Sequence, residues 1–428
     1  MSGAAAVDAA SGDDAWITAM LDAERALAVA CGRAGLIPAA AAAAIADACV
    51  SLRPAPEELA AGAASAATPV PALVAALVRA VPPSAGPYVH FGATSQDIAD
   101  SAAMLVVFRS LAPVLDDLGA CADACAGLAV RHRDTLMAGR TLLRQAAPTT
   151  FGLVAAGWLT ALDEVRVHLA AERATQTAAQ LGGPVGTRAA FGVHGGEVAA
   201  LFAAQLGLAE PPLPWHTDRT RITRIAAALG TAAGALGKVA RDTSLLGQDE
   251  IGEAAEAAGG HSSAMPHKNN PAHGVIVAAN VHRVPGLVAT LMSGMVQEHQ
   301  RAAGAWQAEW ASLTELVRAV GGAAAHAREL LSGLLIDTDR MQANLAPHSA
   351  MLASAAVAQR LAVRLGRTEA HALVAELARS DTGFAEALRG DERVRDVLTP
   401  GEIDALLDPR SVLGSVRALV DLALERRP

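Results

Sequence analysis

The longest stretches of this sequence carry Ala, Leu and Val at helical spacing, and no alternating strand pattern of any length lies between them. Because aromatic residues make up only 3% of the chain, small side chains must fill the core, and small side chains let helices approach closely. The sequence therefore predicts an all-α protein with an extended helical middle. The predicted helices are residues 15–35, 39–52, 70–81, 94–111, 114–133, 148–181, 220–250, 274–295 and 306–335, with shorter helices after residue 347.

Five polar patches interrupt the predicted helices. A helix cap or a corner would explain any one of them taken alone. The fourth patch stands out because it contains Lys268, and the only other lysine in the chain is Lys238. Residues 137–141, at the start of the second patch, are predicted to be irregular. The patches are residues 90–97, 140–151, 215–221, 259–271 and 298–309.

Length and charge limit the class of protein. A chain of 428 residues is longer than one ordinary core supports, so two or three domains are expected. The net charge of −9 and the lack of a basic run argue against nucleic-acid binding. The acidic start and the proline-broken run 59–78 predict neither a secretory signal nor a membrane span, so a cytoplasmic protein is expected.

Metal and nucleophile motifs give little guidance. The four cysteines include no metal-type C-x-x-C pair. Cys121 and Cys125 lie one helical turn apart and are predicted to be small buried apolar residues, with half of a zinc site as the alternative. His267 and His273 are not spaced as ligands on one helix, so a metal site is not expected. The sequence also contains no H-E-x-x-H, no G-x-S-x-G and no P-loop.

The fourth patch nevertheless carries a specific resemblance. Residues 262–271, SSAMPHKNNP, are similar to the signature loop S-S-x-M-P-x-K-x-N-P of the fumarase/aspartase superfamily, which includes class II fumarase and adenylosuccinate lyase. Residues 90–97 resemble the first shared region of that superfamily and residues 140–152 resemble the second. Within the superfamily the chain most resembles the 3-carboxy-cis,cis-muconate cycloisomerase branch, through residues 92–97, 214–217, 283–291 and 298–310.

The resemblance implies three helical domains per chain, with a long central helical bundle in the middle one. The expected boundaries are residues 1–104, 105–345 and 346–428. It also implies a homotetramer in which three subunits contribute to each active site, a small polycarboxylate substrate, and no metal or organic cofactor. Neither nucleic acid nor a membrane is an expected partner.

The resemblance assigns catalysis to Ser262 as the general base. Removing a proton beside a carboxylate creates a dianion, which requires hydrogen-bond donors and positive charge of the kind that Lys268 supplies. A serine needs such surroundings before it can act as a base. His90 is predicted to be an acid, a base or a substrate ligand, with helix capping as the alternative. The predicted substrate-binding residues are Thr94, Ser95, Arg140, Thr141, Gln145, Arg219, Ser263, Met265, Asn270 and Arg301. For each arginine, an inter-helix ion pair is the alternative.

One departure from the superfamily pattern discriminates between reactions. Members that expel water or an amine often have a histidine, the general acid, where this chain has Leu142. Opening a lactone by elimination expels a carboxylate, whose conjugate acid has a pKa of about 4, so it leaves without protonation. Leu142 therefore argues against fumarase, aspartase or adenylosuccinate lyase activity. Asn269 and His261 stand where the cycloisomerases usually have arginine and glycine, so the substrate can differ from carboxymuconate.

The leading hypothesis is an intramolecular lyase that forms and opens a lactone by proton transfer beside a carboxylate, in aromatic (protocatechuate) catabolism. The alternative is a lyase that releases fumarate together with a weakly basic leaving group such as nitrite, or an adenylosuccinate lyase-like enzyme. A third hypothesis, from another class, is an inactive helical scaffold.

Overall fold

The structure is a computed structural model that describes residues 4–261, 264–265 and 267–428. Two predicted site residues, Ser262 and Ser263, lie outside the described residues, as does Pro266. The chain forms two compact units, each assembled from three separate segments. The first unit is Met1–Gly119, Glu164–Lys238 and Val275–Arg328, and the second is Ala120–Asp163, Val239–Gly274 and Glu329–Pro428. The division into three domains at residues 104 and 345 stays a prediction.

The all-α prediction is confirmed, since long helices make up most of the described chain. Among them α2 packs against α3 and α8, and α14 packs against α15. The helices are α1 Ala5–Ser11, α2 Asp13–Arg33, α3 Ala39–Ser51, α4 Pro56–Ala66, α5 Val70–Ala80, α6 Ser95–Arg131, α7 Phe151–Gln176, α8 Gly195–Leu206, α9 Thr220–Leu246, α10 Ala272–Ser293, α11 Ala305–Ser332, α12 Thr338–Leu345, α13 Ser349–Leu352, α14 Ser354–Leu365, α15 Arg367–Leu377, α16 Phe384–Gly390, α17 Glu392–Arg395, α18 Pro400–Leu407 and α19 Val416–Glu425.

Short two-stranded sheets connect some of these helices. Strands β1 and β2 form an antiparallel hairpin, and β3 with β6 and β4 with β5 are further antiparallel pairs. Single 3-10 turns lie at Gly86–Tyr88, Ala189–His194, Ala346–His348 and Pro409–Val412. The strands are β1 Leu136–Thr141, β2 Arg144–Thr150, β3 Ala254–Glu256, β4 Gly260–His261, β5 Asn269–Asn270 and β6 Leu334–Ile336.

Helix α6 corrects the prediction of two helices that meet near residue 112. It is one helix of 37 residues with Pro113 inside it. A proline removes one backbone hydrogen bond and usually bends or ends a helix. Here Leu111, Val114 and Leu118 are all fully buried around the proline. Burial of these side chains stabilises the continuous helix against the local cost of Pro113.

The hairpin corrects a second prediction, because residues 137–141 are a strand and the next helix begins at Phe151 and not at 148. Thr150 Oγ1 accepts the backbone N–H of Leu153, which caps that helix. Leu142 and Leu143 form the hairpin turn with φ of +51° and +64°. A two-residue turn of this kind normally contains Asn-Gly, so two leucines gave no turn signal in the sequence.

Cys121 and Cys125 are buried, as predicted, and Cys31 and Cys49 are buried too; none of the four forms a disulfide. Burial raises the pKa of Cys31 to about 12, and it does the same for Cys125. Both thiols therefore stay protonated near neutral pH and behave as small apolar groups.

Candidate active site

Asp97 is the centre of the polar structure in the first unit, and its side chain is fully buried. Its Oδ1 accepts hydrogen bonds from the Gly182 N–H and from His216 Nε2, each at 2.8 Å. Its Oδ2 accepts the Gly183 N–H at 2.9 Å and the Thr94 N–H at 3.0 Å. One carboxylate thus joins the first and third polar patches to a glycine turn.

Arg219 lies in the same unit and is fully buried. Its guanidinium forms bidentate ion pairs with Asp100, at 2.9 and 3.0 Å, and with Glu309, at 2.6 to 3.1 Å. Burial opposes the charge of Arg219, yet the two carboxylates raise its pKa. Every N–H group of the guanidinium has an acceptor, since Nη1 also reaches the carbonyl of His216. These ion pairs match the alternative for Arg219, a pair between helices, and its contact with substrate stays a prediction.

Arg301 differs from Arg219 because its charge is not neutralised. Its guanidinium donates to Gln96 Oε1 at 3.2 Å and to the carbonyl of Pro184 at 2.9 Å. Gln96 is buried and is itself held by a hydrogen bond from its Nε2 to the carbonyl of His216 at 2.9 Å. Arg301 forms no ion pair with a carboxylate in the described part of the chain. A half-buried, oriented and unneutralised guanidinium is suited to bind a substrate carboxylate.

Thr94 and Ser95 lie where α6 begins, and both are half-buried. Their hydroxyl groups make no hydrogen bond to any other described residue, so they are open to a ligand. The chain enters this end of α6 through Gly92, whose φ is +73°. A Cβ at that position would lie 2.5 Å from the ring of Phe191, so only glycine fits there.

His90 also lies in this patch, at a left-handed backbone position with φ of +57°. Its Nδ1 is 2.6 Å from Oε1 of Glu24 on α2. The prediction that His90 caps a helix, which was its alternative, finds no support here because its ring nitrogen is bound to a carboxylate.

The second unit contains the hairpin residues. Arg140 binds the buried carboxylate of Glu253 through two hydrogen bonds of 2.7 and 2.8 Å. Asn344 donates to the same carboxylate at 2.9 Å, and Gln145 donates to the backbone carbonyl of Asn344 at 3.4 Å. Arg140 therefore forms an ion pair within the chain, as its alternative supposed, but the pair joins β1 to the residue before β3 and not two helices. Thr141 is exposed and available to a ligand.

Lys268 is exposed and forms no ion pair within the described ranges. Its backbone N–H donates to the carbonyl of Met265 at 3.0 Å, which gives this part of the loop a turn. Met265 is also exposed, with 43% of its surface accessible. The ammonium group is thus presented to solvent, and no carboxylate in the part of the chain that the structure describes pairs with it.

The two ends of the signature loop are joined to each other. Strands β4 and β5 pair, and Asn270 Nδ2 donates to the carbonyl of Gly260 at 3.2 Å. Asn269 donates to the carbonyl of Glu256 at 3.3 Å. The carboxylate of Glu256 in turn accepts the first backbone N–H groups of α10, at 2.9 and 3.0 Å. Asn270 therefore has a structural role at the loop base in addition to its predicted contact with substrate.

The carboxylates that organise both units were not among the predicted site residues. A buried charge is costly unless it is paired, so each of them needs a partner. Glu24 stands on the apolar face of its helix, which is a signal that the sequence offers, but the sequence does not show the partner of any of these groups. These residues are Glu24, Asp97, Asp100, Glu253, Glu256 and Glu309.

Two family models together match most of the chain. The family model described as Lyase matches residues 6–286, and that described as Adenylosuccinate lyase C-terminus matches residues 351–423. The chain belongs to the fumarase/aspartase superfamily of lyases. It is an enzyme of that superfamily, and the resemblance drawn from the signature loop is confirmed.

Individual relatives cover almost the whole chain. A 3-carboxy-cis,cis-muconate cycloisomerase of Pseudomonas aeruginosa is 44% identical over 98% of this chain and 94% of its own length. A nitrosuccinate lyase of Streptomyces davaonensis is 43% identical over 98% of this chain and 92% of its own. The crystal structure of the 3-carboxy-cis,cis-muconate lactonizing enzyme from Pseudomonas putida has a TM-score of 0.90 at 39% identity and covers 98% of this chain and 96% of its own.

Proposed function

We propose that this enzyme is a cycloisomerase that interconverts 3-carboxy-cis,cis-muconate and γ-carboxymuconolactone in aromatic catabolism. The observation that carries the proposal is Leu142, which is 97% exposed at the tip of the hairpin, where superfamily members that expel water or an amine often have histidine. An apolar group at that position cannot protonate a leaving group. The reaction must therefore release an anion that is stable without a proton.

In the direction that opens the lactone, Ser262 removes the proton from the carbon beside a carboxylate. The electron pair of that C–H bond forms the new C=C bond while the ring C–O bond breaks. The leaving oxygen stays on the product as a carboxylate, whose conjugate acid has a pKa of about 4. In the other direction the serine returns the proton to carbon. The charge that develops on the carboxylate beside the reacting carbon is stabilised by the ammonium of Lys268.

Substrate binding is proposed for the groups that are open in each unit. Arg301, Thr94 and Ser95 lie in the first unit, and Thr141 and Lys268 lie in the second. In the described part of the chain no three His, Cys, Asp or Glu side chains cluster as metal ligands. We propose acid–base chemistry by the protein alone, without a cofactor, in the cytoplasm.

We also propose self-association as a homotetramer, and α10 supports it. This helix has the length and the apolar composition of a membrane span, yet only 22% of its apolar 18-residue stretch is buried within the chain. In the longer helix α6, 72% of the corresponding stretch is buried. Exposed side chains near α10 include Val275, Met292 and Val296. Apolar surface of this extent needs a cover, and further copies of the chain would provide it.

Nitrosuccinate lyase-like activity is the second candidate. Nitrite is also a weakly basic anion, so Leu142 permits its release equally well. Asn269 favours this candidate, because a missing loop arginine reduces the positive charge available for a tricarboxylate.

The experiment follows loss of the diene absorption of 3-carboxy-cis,cis-muconate with the purified enzyme and with Ser262→Ala. Turnover should fall by about 10³-fold or more in the variant, because it lacks the base. The exposed Ser65→Ala variant is the control and should retain full activity. A parallel assay for fumarate release from nitrosuccinate separates the second candidate. Full activity in Ser262→Ala would contradict the proposed role of the loop.

A further inference from the structure

Glu24 is a carboxylate in an apolar environment. It lies on α2 with only 1% of its surface exposed, beside the buried Ala23 and Leu27. Its Oε1 is 2.6 Å from Nδ1 of His90, whereas its buried Oε2 has no hydrogen-bond partner. A buried carboxylate is costly unless a cation or several donors compensate it. Among the described residues, His90 is the side chain that provides this compensation.

His90 is strained as well as paired. A non-glycine residue with φ of +57° is uncommon and persists where its surroundings hold it in place. The bond from Nδ1 to Glu24 fixes the plane of the imidazole ring. The other ring nitrogen, Nε2, has no hydrogen-bond partner in the described ranges, and 18% of the side chain is exposed. The ring therefore presents one open nitrogen, Nε2, from a fixed position.

Neighbouring charges set the protonation state of His90. Burial lowers the pKa of His90, but the charge of Glu24 and its hydrogen bond outweigh burial and leave the pKa above its ordinary value. Glu24 from α2 and Asp97 from α6 are the charged groups that act on the ring, and both favour the protonated form. Below that raised pKa the open Nε2–H belongs to an imidazolium, which is a strong donor to an anion.

We propose that Glu24 is a positioning residue that holds His90 as an oriented imidazolium, and that the Nε2–H of His90 binds a carboxylate of the substrate. The proposal rests on the proposed function in one respect, namely that the substrate is a polycarboxylate. It gives His90 a role other than proton transfer, because a leaving carboxylate needs no general acid. His90 precedes Thr94 and Ser95 in the same patch, so three open donors follow each other along one loop.

The test measures binding of propane-1,2,3-tricarboxylate to the full-length enzyme by calorimetry between pH 6 and pH 9. Wild-type affinity should fall as pH rises through the raised pKa of His90, by about tenfold in all. In Glu24→Gln the same fall should occur at lower pH, because burial then lowers the pKa of His90 without the carboxylate to offset it, so binding at pH 7 should be weaker than in the wild type. His90→Asn, which keeps a residue that tolerates positive φ, should bind weakly at every pH.

Glu172→Gln is the matched control, because Glu172 is a buried carboxylate paired with Arg224 and lies outside this patch. It should keep the wild-type pH profile. Equal midpoints in wild type and Glu24→Gln would overturn the proposal. So would wild-type binding that does not depend on pH.

Turnover distinguishes this proposal from the proposed function. If the cycloisomerase assay succeeds, Glu24→Gln should raise KM at a pH between the midpoints of the two binding profiles and leave kcat nearly unchanged. If no carboxymuconate is converted but tricarboxylate binding shows the shifted profile, the proposed reaction fails and the role of Glu24 stands. Unfolding midpoints of all variants show whether each one is folded.

Discussion

Two regions of the molecule, one in each unit, differ in how their side chains are partnered. Around Asp97 and Arg219 in the first unit, nearly every polar atom is buried and has a partner from the same chain. At the hairpin tip and the signature loop of the second unit, Leu142 and Lys268 are exposed, and Lys268 forms no ion pair with any residue that the structure describes. The first region holds loops in place, and the second presents groups outward. Substitutions in the first should therefore change stability, and substitutions in the second should change catalysis.

Arg219→Met should have the largest effect on stability. It leaves Asp100 and Glu309 buried without their cation, which typically costs about 3–5 kcal/mol. The measurement is the free energy of unfolding in urea, with Arg389→Met as control. Arg389 pairs with Asp404 at the surface, where such a pair contributes about 1 kcal/mol or less. Similar losses in the two variants would show that the Asp97–Arg219 region is not the scaffold inferred here.

Lys268→Met should have the converse effect. Loss of the exposed ammonium should reduce kcat/KM for carboxymuconate by about 10²–10³-fold, since a preorganised charge on the developing dianion is removed. The free energy of unfolding should change by less than about 0.5 kcal/mol, because the side chain has no ion pair within the described ranges. Lys238→Met, a substitution at the only other lysine, is the control for activity. A large loss of stability with normal turnover would reverse the contrast between the units.

Arg301→Lys sharpens the comparison within the first unit. Lysine keeps the charge but loses the planar fork that pairs with a carboxylate through two hydrogen bonds. KM should rise by about tenfold, with kcat within about twofold of wild type. Steady-state kinetics measure both. An unchanged KM would place Arg301 with Arg219, among the arginines that only maintain structure.

Much of the fold followed from the helical spacing of apolar residues, because burial of one helix face leaves a periodic pattern. The pattern did not show that Pro113 lies inside one helix, since the buried leucine and valine contacts that override proline are long-range. It also missed the hairpin, because Leu142 and Leu143 take a backbone conformation that the sequence signals only through glycine or asparagine.

Less of the candidate site than of the fold could be predicted from the sequence. The motif around Lys268 and the position of Leu142 were visible, since both depend only on which residues follow each other along the chain. Whether an arginine faces substrate depends on which carboxylates the fold brings to it. Arg219 has two such partners and Arg301 has none among the described residues, although the sequence treats the two alike.

The smallest predicted effect concerns the hairpin turn and separates backbone strain from packing. Leu143 is 74% exposed with φ of +64°. Leu143→Gly and Leu143→Ala both remove the apolar side chain, but only glycine adopts this φ without strain. The glycine variant should therefore be more stable than the alanine variant by about 1 kcal/mol, whatever the leucine packs against. Urea unfolding of the two proteins gives the difference. Equal stabilities would mean that the turn is not strained in solution. The exposed hairpin tip of the second unit would then be as free of backbone strain as the buried Asp97–Arg219 region of the first.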